Sequence, residues 1–183
     1  MEYNSLITNK KRNLITSGTY EKTLFLNLFT DWLDEAHERI IVVEGFVNSE
    51  SIKLSFNSLY DIIIEIAERA LFVEYKVFEE NIKTSVKSTA KLLCKFEKKL
   101  LSVKYRKYLL DEYPELFRLV FININYFITN LNDIISYYIN DFNEIKKIFD
   151  LKNSGIEYIK MGLGDRHNNN KSTTLLQLEG EKK

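Results

Sequence analysis

Residues 114–149 read PELFRLVFININYFITNLNDIISYYINDFNEIKKIF, a long stretch with one repeating apolar pattern. Apolar side chains recur in it every three or four positions, at Phe117, Val120, Ile124, Phe127, Leu131, Ile134, Tyr138, Phe142, Ile145 and Phe149. This spacing places them on one face of an α-helix. Pro114 stands where a helix can begin, because the first helical turn needs no donor there. The pattern predicts one helix over residues 115–149, roughly 50 Å long at 1.5 Å per residue, with its aromatic face mostly buried in a bundle.

Shorter patterns of the same kind precede this helix. The first runs over residues 19–41, with Phe25, Leu28, Trp32, Ala36 and Ile40 on its apolar face. The second has Phe56, Leu59, Ile63, Ile66, Ala70, Val73 and Val77 on one predicted buried face, with Ser55 as a possible cap. The third has Ile82, Val86, Ala90, Leu93, Phe96 and Leu100. A short helix from Ser102 to near Tyr113 completes the predicted bundle.

Several polar side chains of these helices are interpreted as facing solvent. On the first helix they are Asp31, Asp34, Glu35, Glu38 and Arg39. His37 has no nearby ligand partner in the sequence, and we interpret it as a surface histidine. The third helix and its continuation have a basic group, formed by Lys87, Lys91, Lys95, Lys98, Lys99, Lys104, Arg106 and Lys107. Charge opposite an apolar face is usually solvated, and a docking site for an acidic peptide is the alternative.

The chain changes character after the long helix. Residues 156–161 are apolar, short enough for a strand, and are followed by breaks at Gly162 and Gly164. A compact turn is expected to hold Asp165, His167, Asn168, Asn169 and Asn170. Residues 172–178 are β-branched and apolar and predict a second strand, which Glu179-Gly180 would close as a turn. The predicted fold class is therefore mainly α, a multi-helix bundle followed by a short C-terminal β-hairpin.

Asp165 and His167 are the residues of this loop that can take part in chemistry. A carboxylate can bind a metal or orient a nucleophile, and an imidazole exchanges protons near neutral pH. Two strands joined by a glycine loop can hold both groups at a phosphate or a hydroxyl. The same residue types also form turns, so the pattern alone leaves a purely structural role open.

Composition limits the classes of function. The 183 residues suffice for one domain with a substantial core, and 26 basic against 26 acidic residues give zero net charge. A general nucleic-acid binder usually has a basic excess, so that class is disfavoured. Cys94 is the only cysteine, and its helical apolar context predicts a core thiol. The sequence has no apolar run of membrane-spanning length and no signal-peptide core near Met1, which predicts a soluble, cytoplasmic protein.

Three segments of the chain resemble class II lanthipeptide synthetases. Gly162-Leu163-Gly164-Asp165-Arg166-His167-Asn168 resembles the Gly-Asp-x-His-Asn loop that opens a β-hairpin in the dehydratase domain of that family. Tyr113-Pro114-Glu115-Leu116-Phe117-Arg118-Leu119 resembles the family's Tyr-Pro-x-Leu-x-Arg-Leu segment, which a long helix follows. Arg69-Ala70-Leu71-Phe72-Val73-Glu74 fits the end of an upstream helix. The resemblance extends over about residues 56–183 and is specific after Ser102.

The resemblance implies a kinase-like dehydratase domain that binds ATP and Mg²⁺. Such a domain phosphorylates Ser and Thr of a precursor peptide and then eliminates the phosphate to leave dehydroamino acids. Asp165, His167 and Asn168 match the active-site loop of the family. The match implies that His167 handles a proton while Asp165 orients it or a metal. The family often has glycine where Asn170 stands.

The family continues past this region with a strand that carries an essential lysine, a lobe with the metal-binding residues, and a zinc-bearing cyclase domain. The resemblance therefore implies that the chain is the amino-terminal part of a synthetase, truncated or split, and inactive alone. Its expected partners are the precursor peptide and a complementary downstream synthetase chain. The expected organisation is a loosely ordered arm at 1–18, a helical part at 19–153, and a truncated β-element at 154–183. The second strand would lack its natural partner, which predicts poor solubility.

Two alternatives remain at this point. The string Gly-x-Gly-Asp-Arg-His-x-x-Asn also resembles the catalytic loop of phosphatidylinositol 3-kinase-like enzymes, which would make the chain a diverged phosphotransferase. Such an enzyme needs a β-rich lobe with an ATP-binding lysine before the loop, whereas the patterns here are helical. The third possibility is a non-catalytic helical module that binds a peptide or partner.

Overall fold

The computed structural model describes residues 25–82 and 88–179. A 3₁₀ turn, Asn27–Phe29, leads into five α-helices and two strands. They are α1 (Thr30–Glu38), α2 (Ser49–Asn81), α3 (Thr89–Leu100), α4 (Val103–Glu112), α5 (Pro114–Phe149), β1 (Ile156–His167) and β2 (Lys171–Leu178). The predicted class, mainly α with a C-terminal hairpin, is confirmed. Within the described ranges, no helix combines the length and apolar character needed to cross a membrane.

Some sequence predictions concern residues outside the described ranges. These are the arm at 1–18, the start of the first helix at 19–24, Val86 and Lys87 of the third pattern, and the turn at Gly180.

The ends of α4 and α5 lie close to where the sequence predicts them. Ser102 caps α4, because its hydroxyl accepts a hydrogen bond from the Tyr105 amide at 3.3 Å. Pro114 is the first residue of α5, which runs without a break to Phe149. Asp150 then adopts a positive φ of 52°, a left-handed conformation that ends the helix.

The predicted apolar face of α5 is largely the buried one. Seven of its ten positions are buried: Phe117, Val120, Ile124, Phe127, Leu131, Tyr138 and Phe142. Ile134 and Ile145 are half-buried, while Ile135 is completely buried. Phe149 is 67% exposed. The buried face therefore follows Leu131, Ile135 and Tyr138, spacings of four and three that keep it on one side of the helix.

The chain forms two compact units. Unit 1 consists of the described residues up to Glu35 together with Ile62–Ile122. Its core contains a cluster of aromatic rings, in which the ring centroids of Phe29 and Trp32 lie 5.6 and 6.4 Å from that of Phe117. All three side chains are completely buried, so this cluster ties the start of α5 to the first turns of the unit.

Unit 2 consists of Ala36–Asp61 together with the residues from Asn123 onward. Phe56 of α2 packs edge-to-face on Phe127 of α5, with 5.1 Å between ring centroids. The hairpin contributes Ile156 and Ile159 to this core, and both are completely buried. Val47 forms an isolated parallel bridge with Ile156, which extends the hairpin by one pairing. Unit 2 therefore holds the hairpin and the part of α5 that supports it.

The predicted start of α2 is wrong by seven residues. The helix begins at Ser49, and Asn48 caps it by accepting a hydrogen bond from the Ser51 amide at 2.9 Å. Ser55 lies inside the helix, buried, and its hydroxyl donates to the carbonyl of Ile52 at 2.6 Å. A serine inside a helix can satisfy its hydroxyl in this way, so Ser55 is not a cap.

The predicted buried face of α2 is correct only for its first half. Phe56, Leu59 and Ile63 are completely buried, but Ile66 and Ala70 are half-buried and Val73 and Val77 are 55% and 47% exposed. Buried positions continue instead at Ala67, Leu71 and Tyr75. The helix is apolar on two neighbouring faces. The buried one carries Tyr75, whose ring packs on that of Phe96 with 5.4 Å between centroids.

Asp31 and Arg106 are buried, although both were interpreted as solvent-facing. Asp31 is 9% exposed and Arg106 is 1% exposed. The Arg106 guanidinium donates to the Asp31 carboxylate at 3.4 Å. The attraction between the two charges offsets the desolvation cost of burying them, which is several kcal/mol for each ion. Removing one partner of a buried ion pair typically costs about 3–5 kcal/mol of stability.

Glu74 ends the run Arg69-Ala70-Leu71-Phe72-Val73-Glu74, and its carboxylate has three hydrogen-bond donors around it. Its buried carboxylate accepts hydrogen bonds from the hydroxyls of Tyr105, Tyr108 at 3.3 Å and Tyr113 at 2.8 Å. Burial, together with the bond to Glu74, raises the pKa of Tyr113 to about 12 and that of Tyr105 further. The three phenols therefore stay protonated and donate to Glu74. These hydrogen bonds connect α2 to α4 and to Tyr113, the residue after α4.

Cys94 and His37 also differ from their sequence interpretations. Cys94 is exposed, because it follows the buried Leu93 by one residue and is rotated about 100° around α3.

His37 is half-buried and stacks on Phe56 with 3.5 Å between ring centroids. Burial, and then the charge of Lys53, lower the pKa of His37. Its imidazole is thus a packing element at neutral pH and not an exposed charge.

The start of the third predicted helix is also corrected. α3 begins at Thr89, so Ile82 precedes the helix, and Ala90 in its first turn is exposed.

Candidate functional site

The two glycines of the loop motif lie within a strand. The sequence pattern predicts a break at Gly162 and Gly164, with Asp165 and His167 in a turn. This is corrected by the structure, in which β1 continues to His167. Gly162 and Gly164 have φ values of +82° and +80°, a conformation that glycine adopts without the steric penalty of a Cβ atom. The glycines therefore allow the strand to bend rather than end.

β1 is strongly bulged next to the candidate residues. Its 12 residues stand opposite only 8 residues of β2, so four residues of β1 are extra to the ladder. The pairing shifts in three places, and the last lies between Leu163, opposite Thr173, and His167, opposite Lys171. Bulges bend a strand and re-aim its side chains, and they are common beside active sites. Asp165 lies inside the last of these irregular segments.

Three asparagines make the hairpin turn. Asn168, Asn169 and Asn170 have φ values of 38°, 62° and 63°, in the left-handed region. Asparagine tolerates this region better than most residues because its short polar side chain bonds locally. The structure thus shows a conformational reason for the asparagine run, Asn168 included.

Side chains of α5 hold the turn in place. The Asn130 amide donates to the carbonyl of Asn169 at 3.0 Å, and the side chains of Asn170 and Asn123 are hydrogen-bonded. Lys171, the first residue of β2, forms an ion pair with Asp133 at 3.3 Å. The three supporting residues of α5 are Asn123, Asn130 and Asp133, at spacings of seven and three, which lie near one face of a helix.

A parallel pair of asparagines on α5 holds the chain after α1. Asn125 accepts a hydrogen bond from the Arg39 side chain at 3.1 Å, and Asn132 bonds the backbone of Arg39 and Ile41 at 3.0 and 2.9 Å. The apolar pattern of α5 did not predict either pair. Their signal is the motif Asn-x-Asn at 123–125, repeated seven residues later at 130–132 inside an apolar helix.

Asp165 and His167 are exposed at the end of β1, with Arg166 between them. Within the described part of the chain, neither side chain has a hydrogen-bond or ion-pair partner. The structure therefore brings the two groups to one end of the hairpin without joining them to each other. Both can be reached by an external substrate there.

A cavity of about 170 Å³ lies between the hairpin and α5. Met161 and Ile134 form part of its apolar wall, and Asp133, Lys171 and Thr174 add polar groups. Since Lys171 pairs with His167 across the hairpin, the cavity begins next to the candidate residues.

The described residues do not form a metal site by themselves. Mg²⁺ prefers carboxylate and other oxygen ligands, and Asp165 supplies one exposed carboxylate. Over residues 25–82 and 88–179, no group of three or more His, Cys, Asp and Glu side chains is close enough to hold a metal ion. In this part of the chain Asp165 therefore offers a single carboxylate and not a set of metal ligands.

Replacing Asn130 by leucine is expected to loosen the turn. Asn130 is 5% exposed, and its replacement removes the donor to the carbonyl of Asn169, at a net cost of about 0.5–1.5 kcal/mol because that exposed carbonyl can bond water instead. Hydrogen exchange of the amides at 169–172 should become faster. The matched control is Asn140→Leu, because Asn140 is exposed on the same helix. Equal exchange in the two variants would show that Asn130 does not hold the turn.

Comparison with known proteins connects this site to a family. Residues 113–183, which include α5 and the hairpin, match the sequence profile of a family described as "Domain of unknown function (DUF4135)". This domain is found in lanthipeptide synthetase-like proteins. The match covers less than half of the 183 residues. A comparison with curated proteins gave no match.

Proposed function

We propose that this chain contributes the helical part and the loop-bearing hairpin of a class II lanthipeptide dehydratase domain. The observation that carries the proposal is the hairpin itself, in which a bulged strand presents Asp165 and His167 to solvent. It lies in the segment that matches a domain found in lanthipeptide synthetase-like proteins. The substrates are the Ser and Thr side chains of a precursor peptide.

The chemistry of dehydration suits a carboxylate and an imidazole placed at a strand end. In phosphorylation the Ser or Thr hydroxyl loses its proton as its oxygen bonds to phosphorus. In elimination a Cα proton is removed as the phosphate leaves. Either proton can pass to or from an imidazole at neutral pH, so we assign a proton-transfer role to His167 and an orienting role to Asp165.

Phosphoryl transfer also depends on positioned Mg²⁺ and on cationic groups beside the phosphates. We propose that these groups come from a further synthetase segment, with Asp165 giving at most one contact to Mg²⁺ bound to ATP. The active site would then be formed jointly, with the loop supplied by this chain and the phosphate-binding groups by the other segment. The chain alone is then inactive.

The helices before the loop favour this function over a lipid-kinase-like one. From Phe25 to Phe149 the described elements are helical apart from isolated bridges at Val43 and Val47. A lipid-kinase-like loop would follow a β-rich lobe. The arrangement supports the dehydratase proposal for this reason.

The test is reconstitution with the rest of a synthetase. The chain mixed with ATP, Mg²⁺ and a cognate precursor peptide is expected to give neither the phosphopeptide nor the loss of water by mass spectrometry. Supplying the downstream synthetase segment as a second polypeptide is expected to restore both products. The control is the downstream segment alone, which should be inactive. Dehydration by the isolated chain, or full activity of the downstream segment alone, would contradict the proposal.

A further inference from the structure

β2 presents a regular outer edge, uncharged after its first residue. It pairs with β1 on one side, and no other strand in the described ranges pairs with it. Its residues 172–178, read STTLLQL, include no charged residue and no proline. The outer edge of such a strand has N–H and C=O groups that can pair with another strand.

The outer edge of β1 is unsuited to such pairing. It is interrupted by three register shifts and by two glycines with positive φ. It also has several charged or titratable side chains, namely Glu157, Lys160, Asp165, Arg166 and His167. Bulges and charges are the features by which strand edges avoid association. Of the two strands of this hairpin, β2 therefore offers the pairing edge.

The two ends of β2 have opposite charges. Lys171 is its first residue, and Glu179 follows its last. Each lies four residues from Leu175, since 175 − 171 and 179 − 175 are both 4. Leu175 is 51% exposed, an apolar side chain at the midpoint of the strand. Lys171 also reaches Asp133 of its own chain at 3.3 Å, and its side chain remains 54% exposed.

We propose that two copies of this chain associate through their β2 edges, as an antiparallel pair centred on Leu175. Antiparallel pairing places Lys171 of one copy opposite Glu179 of the other at both ends, whereas parallel pairing would bring like charges together. Thr173 then faces Gln177, and Leu175 faces its equivalent. Because the same edge is used by both copies, the association closes at a dimer and does not grow into a fibre.

This inference does not depend on the proposed function. A reversible dimer is expected here, in place of the poor solubility that the sequence predicts. The nine paired residues, 171–179, extend over about 27 Å, so the interface is smaller than that of a typical stable complex. The association should therefore depend on concentration.

Sedimentation velocity over a concentration series, on the full chain, tests the proposal. Reductant is included because Cys94 is exposed and could form disulfides. The expected result is a monomer–dimer equilibrium without larger species. In parallel, hydrogen exchange of the β2 amides should slow as concentration rises. A monomer at every concentration, or open-ended growth beyond two copies, would overturn the proposal.

Leu175→Lys places two like charges face to face at the two-fold axis. It is expected to weaken the dimer by roughly tenfold or more. The matched control is Ile148→Lys, which makes the same kind of change at a 72% exposed residue of α5 and should leave dimerisation unchanged. Equal effects of the two substitutions would remove β2 from the interface.

Glu179 tests the antiparallel register separately. Glu179→Gln removes the attraction to Lys171 of the other copy, and Glu179→Lys replaces it with repulsion. The dimer dissociation constant is expected to rise from the unmodified chain to Glu179→Gln and again to Glu179→Lys. A dimer that is insensitive to both changes would exclude this register.

Discussion

Replacement of Arg106 by leucine is expected to lower the free energy of unfolding of unit 1 by about 3–5 kcal/mol. The substitution removes the ion pair to Asp31 and leaves that carboxylate, only 9% exposed, without its cationic partner. The dominant cost is the burial of the Asp31 carboxylate without this ion pair. Asp31→Leu should also destabilise unit 1, since it removes the same ion pair from the buried guanidinium of Arg106.

Urea denaturation followed by tryptophan fluorescence measures this loss. Trp32 is the only tryptophan and lies in unit 1, so its signal reports on the unit that holds the ion pair. Lys107→Leu is the matched control, because Lys107 is the exposed neighbour of Arg106 on α4 and should change stability by less than about 0.5 kcal/mol. The double variant Asp31→Leu with Arg106→Leu should lose less than the sum of the two single changes, since neither charge remains. Equal losses in Arg106→Leu and Lys107→Leu would show that the pair does not stabilise unit 1.

His167→Ala in a reconstituted synthetase is expected to lower the rate of dehydration by about 10²–10⁴-fold. This is the cost of losing a group that transfers a proton in the rate-limiting step. Asp165→Asn keeps the size of the side chain but removes its charge, and it should also lower turnover strongly. The rate of appearance of the dehydrated peptide, followed by mass spectrometry, is the measurement.

Arg166→Ala is the matched control, because Arg166 lies between the two candidate residues and is exposed. It should change the rate little. A peptide that already bears phosphoserine separates the steps, since it needs elimination alone. Loss of activity on both peptides would assign His167 to elimination, and loss on the unmodified peptide alone would assign it to phosphorylation. Full activity of His167→Ala would remove this loop from the mechanism.

Asn168 is expected to behave differently from its neighbours. Asn168→Gly keeps access to the left-handed backbone of the turn while it removes the side-chain amide. Near-normal turnover in this variant would show that Asn168 shapes the turn. A loss like that of His167→Ala would instead give the amide a chemical role.

Local sequence signals were sufficient where one pattern acted over neighbouring residues. The 3–4 spacing of apolar side chains predicts α5, Ser102 and Pro114 mark two helix starts, and the β-branched run after the asparagines predicts β2. In each case the interaction that decides the conformation joins residues close in the chain, so no tertiary knowledge is needed.

The wrong predictions for the buried face of α2 and for Asp31 and Arg106 share a physical cause. In both cases the local sequence fits a buried and an exposed position equally well. α2 is apolar on two faces, and its sequence does not tell whether Val73 or Tyr75 will be buried, because that depends on where Phe96 lies. Asp31 and Arg106 read as solvated charges, and only the fold places one beside the other.

At the candidate site, the motif predicts which residues matter and where the chain reverses, within a few residues. Tertiary structure decides the rest. Asn123, Asn130 and Asp133 hold the turn from a helix about forty residues earlier, at separations of 47, 39 and 38 residues. The sequence by itself thus predicted the long helix α5, the presence of a hairpin and a candidate pair, Asp165 and His167. Which helix faces are buried, which charges are paired and what supports the loop were decided by contacts between distant residues, whose energies no local pattern contains.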